Sequence, residues 1–223
     1  MPPLYMLNNS LERNMNLFRK LFTVLVLMCA SQVNAEVVAG RDYKVLNPPQ
    51  LTLSGSKVEV LEFFFYGCSH CYHLHGALSV WEKMMPKDVS LQLVPVIFRD
   101  SWEPMARAFY ALESLGQRDR LHNDFFEAWN VFNTDLSTEA KITDFVAKRG
   151  VDRSKFGAAY NSFSLQSKVV RSNQMVQSFG VRGTPTIAVD GKYIITGLEP
   201  DQTIRVLNEV IDMARKERRS GKH

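Results

Sequence analysis

The chain has 223 residues, of which 45% are hydrophobic, enough for a sizeable core in one large domain or in a domain carrying an insertion. Its formal charge of +4 falls to +2 once residues 1–35 are set aside, because they hold Arg13, Arg19 and Lys20 against Glu12 alone. That near-balance excludes an argument for nucleic acid from charge: no basic block with interleaved aromatics precedes the short tail from Arg215 to Lys222, which reads as a solvated helix end.

Arg19-Lys20 precede an apolar run from Leu21 to Ala30, too short for a comfortable permanent membrane span. Val33 and Ala35 are small residues placed as a signal peptidase requires, so an export signal is expected over 1–35 with cleavage before Glu36. An uncut anchor and a lipidated Cys29 are the alternatives, and Met15 is an alternative start. Removal of the signal takes Cys29 with it and leaves Cys68 and Cys71 as the cysteines of the mature chain.

From Glu36 to Gln50 an extended lead-in is expected, with one short edge strand, and Ser54-Gly55-Ser56 is a turn. Val58 to Phe65 is rich in β-branched and aromatic residues and reads as a buried central strand. Tyr66-Gly67 then leads into Cys68-Ser69-His70-Cys71. Leu74, Leu78, Trp81 and Met85 recur at helical spacing as far as Pro86. Val89 to Phe98 is a second strand, completing a βαβ unit that puts the cysteines at the carboxyl end of a parallel strand. Met84-Met85 and the phenylalanine-rich run read as core.

No strand signal appears between Ser101 and about Val181. Helices are expected over Glu103–Leu115, Asp119–Phe132, Thr138–Lys148, Asp152–Phe163 and Leu165–Phe179. The second shows Leu121, Phe125, Phe126, Trp129 and Phe132 as its apolar side. Thr186–Val189 and Lys192–Thr196 flank Asp190-Gly191 as a hairpin with a type I′ turn. A closing helix from Pro200 to about Lys216 turns Ile204, Leu207, Val210, Ile211 and Ala214 inward. The fold class is therefore α/β with an inserted all-helical subdomain, divided as 36–100, 101–181 and 182–223.

A C-x-x-C pair at a helix start has a chemical consequence. Unpaired N–H groups at that end carry about half a positive charge and stabilise a thiolate on Cys68, below the free value of about 8.5. Cys71, one turn further in, is expected to be more buried. A stabilised thiolate favours the reduced pair, so the oxidised pair readily passes on its disulfide. His70 either adds to that stabilisation or is an exposed loop histidine. Glu62 is costly in an apolar strand unless bonded or protonated. It either lies beneath the cysteines and relays a proton to Cys71, or reaches water at an edge. Cys68, Cys71, His73 and His75 are four candidate metal ligands in eight residues. His73 and His75, two apart on a helix, point to different sides and do not close a tetrahedral site, so no metal is expected.

Together, FFFYG before the C-x-x-C, the helical insertion, and the run from Val181 through Thr184-Pro185 to Tyr193 resemble the DsbA family. So do Gly40-x-x-Tyr43, VLEFF at 60–64 and AAYNSF at 158–163. The similarity spans roughly Gly40 to Lys216. It implies a thioredoxin-like fold, location in the periplasm of a Gram-negative bacterium, and thiol:disulfide interchange without a cofactor. It also implies Cys68 as nucleophile, Cys71 as resolving cysteine, Pro185 as a cis-proline offering backbone to a peptide, and Glu62 as the buried acid. The implied partners are reduced exported polypeptides and a membrane quinone-linked reoxidase of the DsbB type. No separate dimerisation segment is seen, so a monomer is expected. Two positions depart from the family's commonest pattern: Ser69 stands where proline is usual between the cysteines, and Thr184 where valine often precedes the cis-proline. Both sit against the sulfurs, so redox poise is what they alter. A reductase or isomerase, or a peptide-binding chaperone with incidental redox activity, are the rival readings.

Overall fold

The computed structural model describes residues 36–221. The expected export signal at 1–35, with Cys29 and the cleavage position, lies outside the described residues.

All seven residues of strand β2, Val58–Phe64, are buried. It lies between β3, Val89–Pro95, which is parallel to it, and β4, Thr186–Val189, which is antiparallel. With β5, Tyr193–Thr196, and the short β1, Lys44–Val45, the sheet order is β1-β5-β4-β2-β3. A strand covered on both faces has no solvent side, which is why Val60, Leu61, Phe63 and Phe64 follow without a polar–apolar alternation and why the two carboxylates of β2, Glu59 and Glu62, are buried as well. β3 is an edge strand and ends at Pro95, which has no N–H for a ladder. The strand therefore stops short of the expected Phe98, although Val96 N–H still donates to Phe64 O at 2.8 Å.

Helix α1, Ser69–Met84, connects β2 to β3 and buries Cys71, Leu74, Leu78 and Trp81. Met84 is 72% exposed rather than core, since it falls in the last turn on the outer side of that stripe. The insertion follows: a 3-10 turn at Asp100–Trp102, then α2 (Glu103–Ser114), α3 (Arg118–Asn130), α4 (Glu139–Ala147), α5 (Arg153–Tyr160) and α6 (Phe163–Ser178). Thr138, Asp152 and Ser162 cap α4, α5 and α6 by accepting from backbone N–H groups three residues on. The Ser162 cap moves the α5–α6 boundary: Phe163 begins α6, 87% exposed, instead of ending α5. Likewise α3 ends at Asn130, so Phe132 leaves the expected apolar side and is 67% exposed.

The hairpin turn has Asp190 at φ 53° and Gly191 at φ 69°, with Lys192 N–H donating to Val189 O at 3.1 Å. Two left-handed residues are what a I′ turn requires. The ladder closes at Val189 opposite Tyr193, so Lys192 belongs to the turn and not to the strand. A Cβ on Gly191 would lie 2.0 Å from the Gln50 carbonyl oxygen. The closing helix α7, Pro200–Arg219, buries Thr203, Val206, Leu207, Val210, Ile211 and Ala214. That stripe is one helical face counted from Thr203; Ile204, expected inside, falls at its edge and is half-buried. Trp81 Nε1–H donates to Asn208 Oδ1 at 2.8 Å and ties α1 to α7.

Sheet and insertion share a core. Phe64, Phe65, Tyr66 and Cys71 pack in one cluster with Phe109, Phe125, Phe126 and Phe156. Rings stack edge-to-face around Phe64, with Phe109 at 5.3 Å and Tyr66 at 5.1 Å between centroids. The C-x-x-C is thus held at the seam between the two layers.

Candidate active site

β2 delivers the chain to Phe65-Tyr66-Gly67, a turn with no spare volume. A Cβ on Gly67 would meet Phe65 Cε1 at 2.5 Å and Trp129 Cε2 at 3.1 Å. Cys68 N–H donates to Phe65 O at 3.0 Å. Cys68 is the N-cap of α1, with extended backbone and no side-chain cap bond. Its sulfur therefore stands where the first-turn N–H groups point outward.

The two cysteines are free thiols in different surroundings: Cys68 is half-buried and Cys71 is fully buried. The Cys71 thiol hydrogen bond to the Cys68 sulfur is the main stabiliser of a Cys68 thiolate. Partial burial opposes it. The Thr184 side chain and the backbone N–H groups of Cys71 and His70 add to it, and the Cys68 pKa falls to about 5. Burial first, and then the bond to Cys68, push the Cys71 thiol far above its ordinary value. One sulfur is thus an anion at neutral pH and the other a firmly held thiol.

Thr184 and Pro185 arrive from the other end of the chain. The Thr184-Pro185 peptide bond is cis. In the thiol form Cys68 Sγ–H donates to the Thr184 carbonyl at 3.2 Å. The loop is pinned on both sides: Thr186 Oγ1–H donates to Gly183 O at 2.8 Å, and Thr196 Oγ1–H to Pro185 O at 3.2 Å. Because β4 pairs antiparallel with β2, the start of β4 comes to the end of β2 where the cysteines lie.

Glu62 is 3% exposed, and its Oε1 has no hydrogen-bond partner. Burial, followed by the charges of Glu82 and Cys68, raises its carboxyl to about 8, so it carries a proton at neutral pH. The edge-carboxylate alternative does not apply, because β2 is central. Ser69 and His70 are exposed. What His70 brings to the sulfur is its backbone N–H. His73 is exposed, whereas His75 is half-buried, with its ring 4.9 Å from that of His122. Among the described residues no group of three or more His, Cys, Asp or Glu is arranged to hold a metal.

Two residues of the site escaped the sequence. Asn130 Nδ2–H donates to the Tyr66 carbonyl at 2.9 Å and to Phe126 O at 2.8 Å, fixing the turn before Cys68 from the insertion. The Tyr66 hydroxyl and His122 Nδ1 share a hydrogen bond of 2.8 Å in the buried core. Burial lowers the His122 pKa well below its usual value, keeping the ring neutral. The available signal was positional: His122 precedes Phe125 and Phe126 by three and four residues, which places a polar ring on the apolar face of α3.

A family model described as the DSBA-like thioredoxin domain matches residues 59–207. The thiol:disulfide interchange protein DsbA of Burkholderia cepacia is 37% identical over 182 residues, covering 78% of this chain and 86% of that protein. The protein of the same name from Pseudomonas aeruginosa is 32% identical over 213 residues, covering 94% and 99%. The crystal structure of Pseudomonas aeruginosa DsbA superposes with a TM-score of 0.78 at 33% identity, covering 84% of this chain and 97% of that one.

Proposed function

This chain belongs to the family of DSBA-like thioredoxin domains, and from that premise we propose that it donates the disulfide of Cys68 and Cys71 to reduced exported polypeptides. It is a thiol:disulfide oxidoreductase of thioredoxin-like fold. The observation that supports the donor direction is the opposition of the two sulfurs, with Cys68 down at about 5 and Cys71 driven far up. A reduced state holding a stabilised thiolate makes the oxidised state a strong acceptor of electrons.

In the forward reaction a substrate thiolate attacks Cys68 Sγ. A substrate–Cys68 disulfide forms, the Cys68–Cys71 bond breaks, and its electron pair goes to Cys71. Cys71 cannot remain an anion in its buried place. The protonated carboxyl of Glu62 gives it a proton and becomes a carboxylate. A second substrate thiolate then attacks the substrate sulfur, and Cys68 leaves as the thiolate its surroundings favour. The substrate gains a disulfide and the protein keeps two electrons. A membrane quinone-linked reoxidase of the DsbB type takes them in this scheme.

The remaining assignments belong to the same reading. Pro185 and Thr184 present backbone to the incoming peptide. Ser69 and His70, exposed beside the sulfur, face the substrate. The protein acts as a monomer in the periplasm of a Gram-negative bacterium after loss of residues 1–35. Residues 101–181 form a helical insertion between thioredoxin-like parts at 36–100 and 182–223. No described helix is long and apolar enough to cross a membrane.

The test is oxidation of a reduced model substrate by the purified oxidised protein. Stoichiometric transfer is expected, with none from Cys68→Ala. A wild-type disulfide that a glutathione buffer fails to reduce would overturn the donor direction and leave a reductase. Activity retained in a Cys68→Ser, Cys71→Ser double variant would indicate a peptide-binding chaperone.

A further inference from the structure

One face of the sheet is fully covered and the other only in part. α1 and α7 cover the face that carries Val60, Ile187 and Ile195. On the opposite face, α6 and the loop after it cover Leu61, Phe63 and Ala188 through Val176, Phe179 and Val181. That cover stops short of β5 and β1. Ile194 and Leu46 are left half-buried, and a groove of about 320 Å³ runs between them and the loop from Phe179 to Gly183. Thr186 and Thr196 line it too. Theirs are the hydroxyls that pin the Thr184-Pro185 loop, so the groove begins where that loop ends. Thr184 O lies 3.2 Å from Cys68 Sγ, and Arg182 is two residues further back along the chain, about 7 Å of extended backbone.

The charge of the groove is one-sided. Lys44 lines it from β1 and Arg182 from the loop, and among the described residues no Asp or Glu does. Both cations are exposed, and neither makes an ion pair among the described residues. Arg107, Arg149, Arg153, Arg215 and Arg218, by contrast, are each bonded to a carboxylate. The backbone N–H groups of Arg182 and Gly183 also donate to no protein acceptor among the described residues. An apolar floor with two unpaired cations and two unpaired donors beside it suits a carboxylate carried on an aliphatic stem.

We infer that this groove is a substrate subsite selecting polypeptides with an acidic residue about two to four positions from the reacting cysteine, the span that reaches Arg182 and beyond. Lys44 and Arg182 are its specificity-determining residues, and Ile194 and Leu46 receive the aliphatic stem. The inference deepens the reading that the oxidised protein acts on exported polypeptides, and rests on it. A polypeptide whose cysteine meets Cys68 Sγ lies against Thr184, and its chain on the Arg182 side passes over the groove. The carboxylate is seated before the sulfurs exchange, so the subsite changes the rate of capture and leaves the disulfide chemistry as it is. Neither cation is among the main influences on the Cys68 thiolate, which separates selectivity from redox poise. The attraction is between exposed groups, so each cation contributes little and salt screens it.

The experiment measures the second-order rate at which the purified oxidised protein oxidises a set of dithiol peptides. They share one neutral sequence and carry a single Glu, Gln or Lys at successive positions on either side of the attacking cysteine. At low salt, Glu at the matching position is expected to react about fivefold faster than Gln, and about 0.5 M salt to bring the ratio below about twofold. The Lys44→Gln, Arg182→Gln double variant is expected to lose the preference, and Lys44→Glu with Arg182→Glu to put the Lys peptide ahead. Both positions are exposed, so the core is untouched. Dithiothreitol, which has no charge to seat, is expected to react with the Gln double variant as fast as with wild type. Equal rates for Glu and Gln at every position, or an acid preference that survives either double variant, would overturn the inference. So would a Glu advantage of the same size at all positions, which is long-range steering and not a seated carboxylate. A changed rate with dithiothreitol would assign the effect to the sulfurs and overturn it as well. Oxidation of none of the peptides would instead defeat the donor reading, and the inference would fall with it.

Discussion

Replacing Glu62 by glutamine removes an acid whose carboxyl sits at about 8 in the folded protein against an ordinary 4.5. The folded state keeps that proton below about pH 8, while the unfolded chain releases it above about 4.5. Between those values the unfolded state binds fewer protons, so wild-type stability falls as pH rises. At 1.36 kcal/mol per unit, the penalty is small at pH 5, about 3 kcal/mol at pH 7, and levels off at about 5 kcal/mol above pH 8. Glutamine has no such penalty. Its amide needs partners that the site lacks, at a cost of about 1–3 kcal/mol that does not vary with pH. The informative quantity is therefore the change with pH of the difference between the two proteins. Urea unfolding of both dithiol forms at pH 5, 7 and 9 measures it, and the titration of Cys68 is common to both and cancels. Glu62→Gln is expected to gain on wild type by roughly 3 kcal/mol between pH 5 and 7. Parallel stability curves would mean that Glu62 is ionised in its buried place, and the argument from its missing partner would be wrong.

The reduction potential should fall by about 59 mV per pH unit below pH 5 and by about 30 mV above it, because one proton fewer is taken up once Cys68 stays a thiolate; a slope of about 59 mV persisting through neutral pH would contradict the lowered value. Thr184→Val deletes a side chain that stabilises the Cys68 thiolate, so thiolate absorbance should titrate higher by up to about one unit, equivalent to a charge-assisted hydrogen bond of about 1.4 kcal/mol; an unmoved midpoint would leave the stabilisation to the helix end and Cys71. Gly191→Ala combines φ 69° with a Cβ 2.0 Å from the Gln50 oxygen and should cost about 3 kcal/mol or more, whereas Gly116→Ala, with φ 66° in open space, should cost about 1 kcal/mol; equal losses in thermal denaturation would show that the Gln50 approach is relaxed away.

The chemistry of the site was legible because most of it is local. Cys68 and Cys71 are one helical turn apart, and the strand, turn and helix that place them are consecutive in sequence. Glu62 was legible as a carboxylate among Val, Leu and Phe, but Glu59 three residues earlier gives the same signal, and what separates them is that Glu59 accepts from Leu53 N–H and Ser54 Oγ–H while Glu62 Oε1 has no partner. Asn130 and His122 were not, because each acts on Tyr66 from 64 and 56 residues away, through a register of α3 that no local pattern encodes. Phe132, Phe163 and Met84 were misplaced for a different reason. Apolar spacing identifies a helix face, but caps and helix ends decide which residues remain on it, and Ser162 competes with Phe163 through its N-cap bond. Ile204 shows the same limit in phase, since a stripe begun at Thr203 leaves it at the margin.

The thiol that defines this protein is conditioned by a residue made much later. Thr184 lies 116 positions beyond Cys68, and β4, which brings it there, pairs with β2 only after the whole insertion has been synthesised. Until then Cys68 lacks the contact with Thr184, and the partial polypeptide carries a sulfur closer to an ordinary thiol. Contacts of such long sequence separation form late and slowly. Full reactivity is therefore a property of the completed chain, and a truncated or stalled product holds the cysteine pair with only the local part of the thiolate stabilisation, that from Cys71 and the helix start.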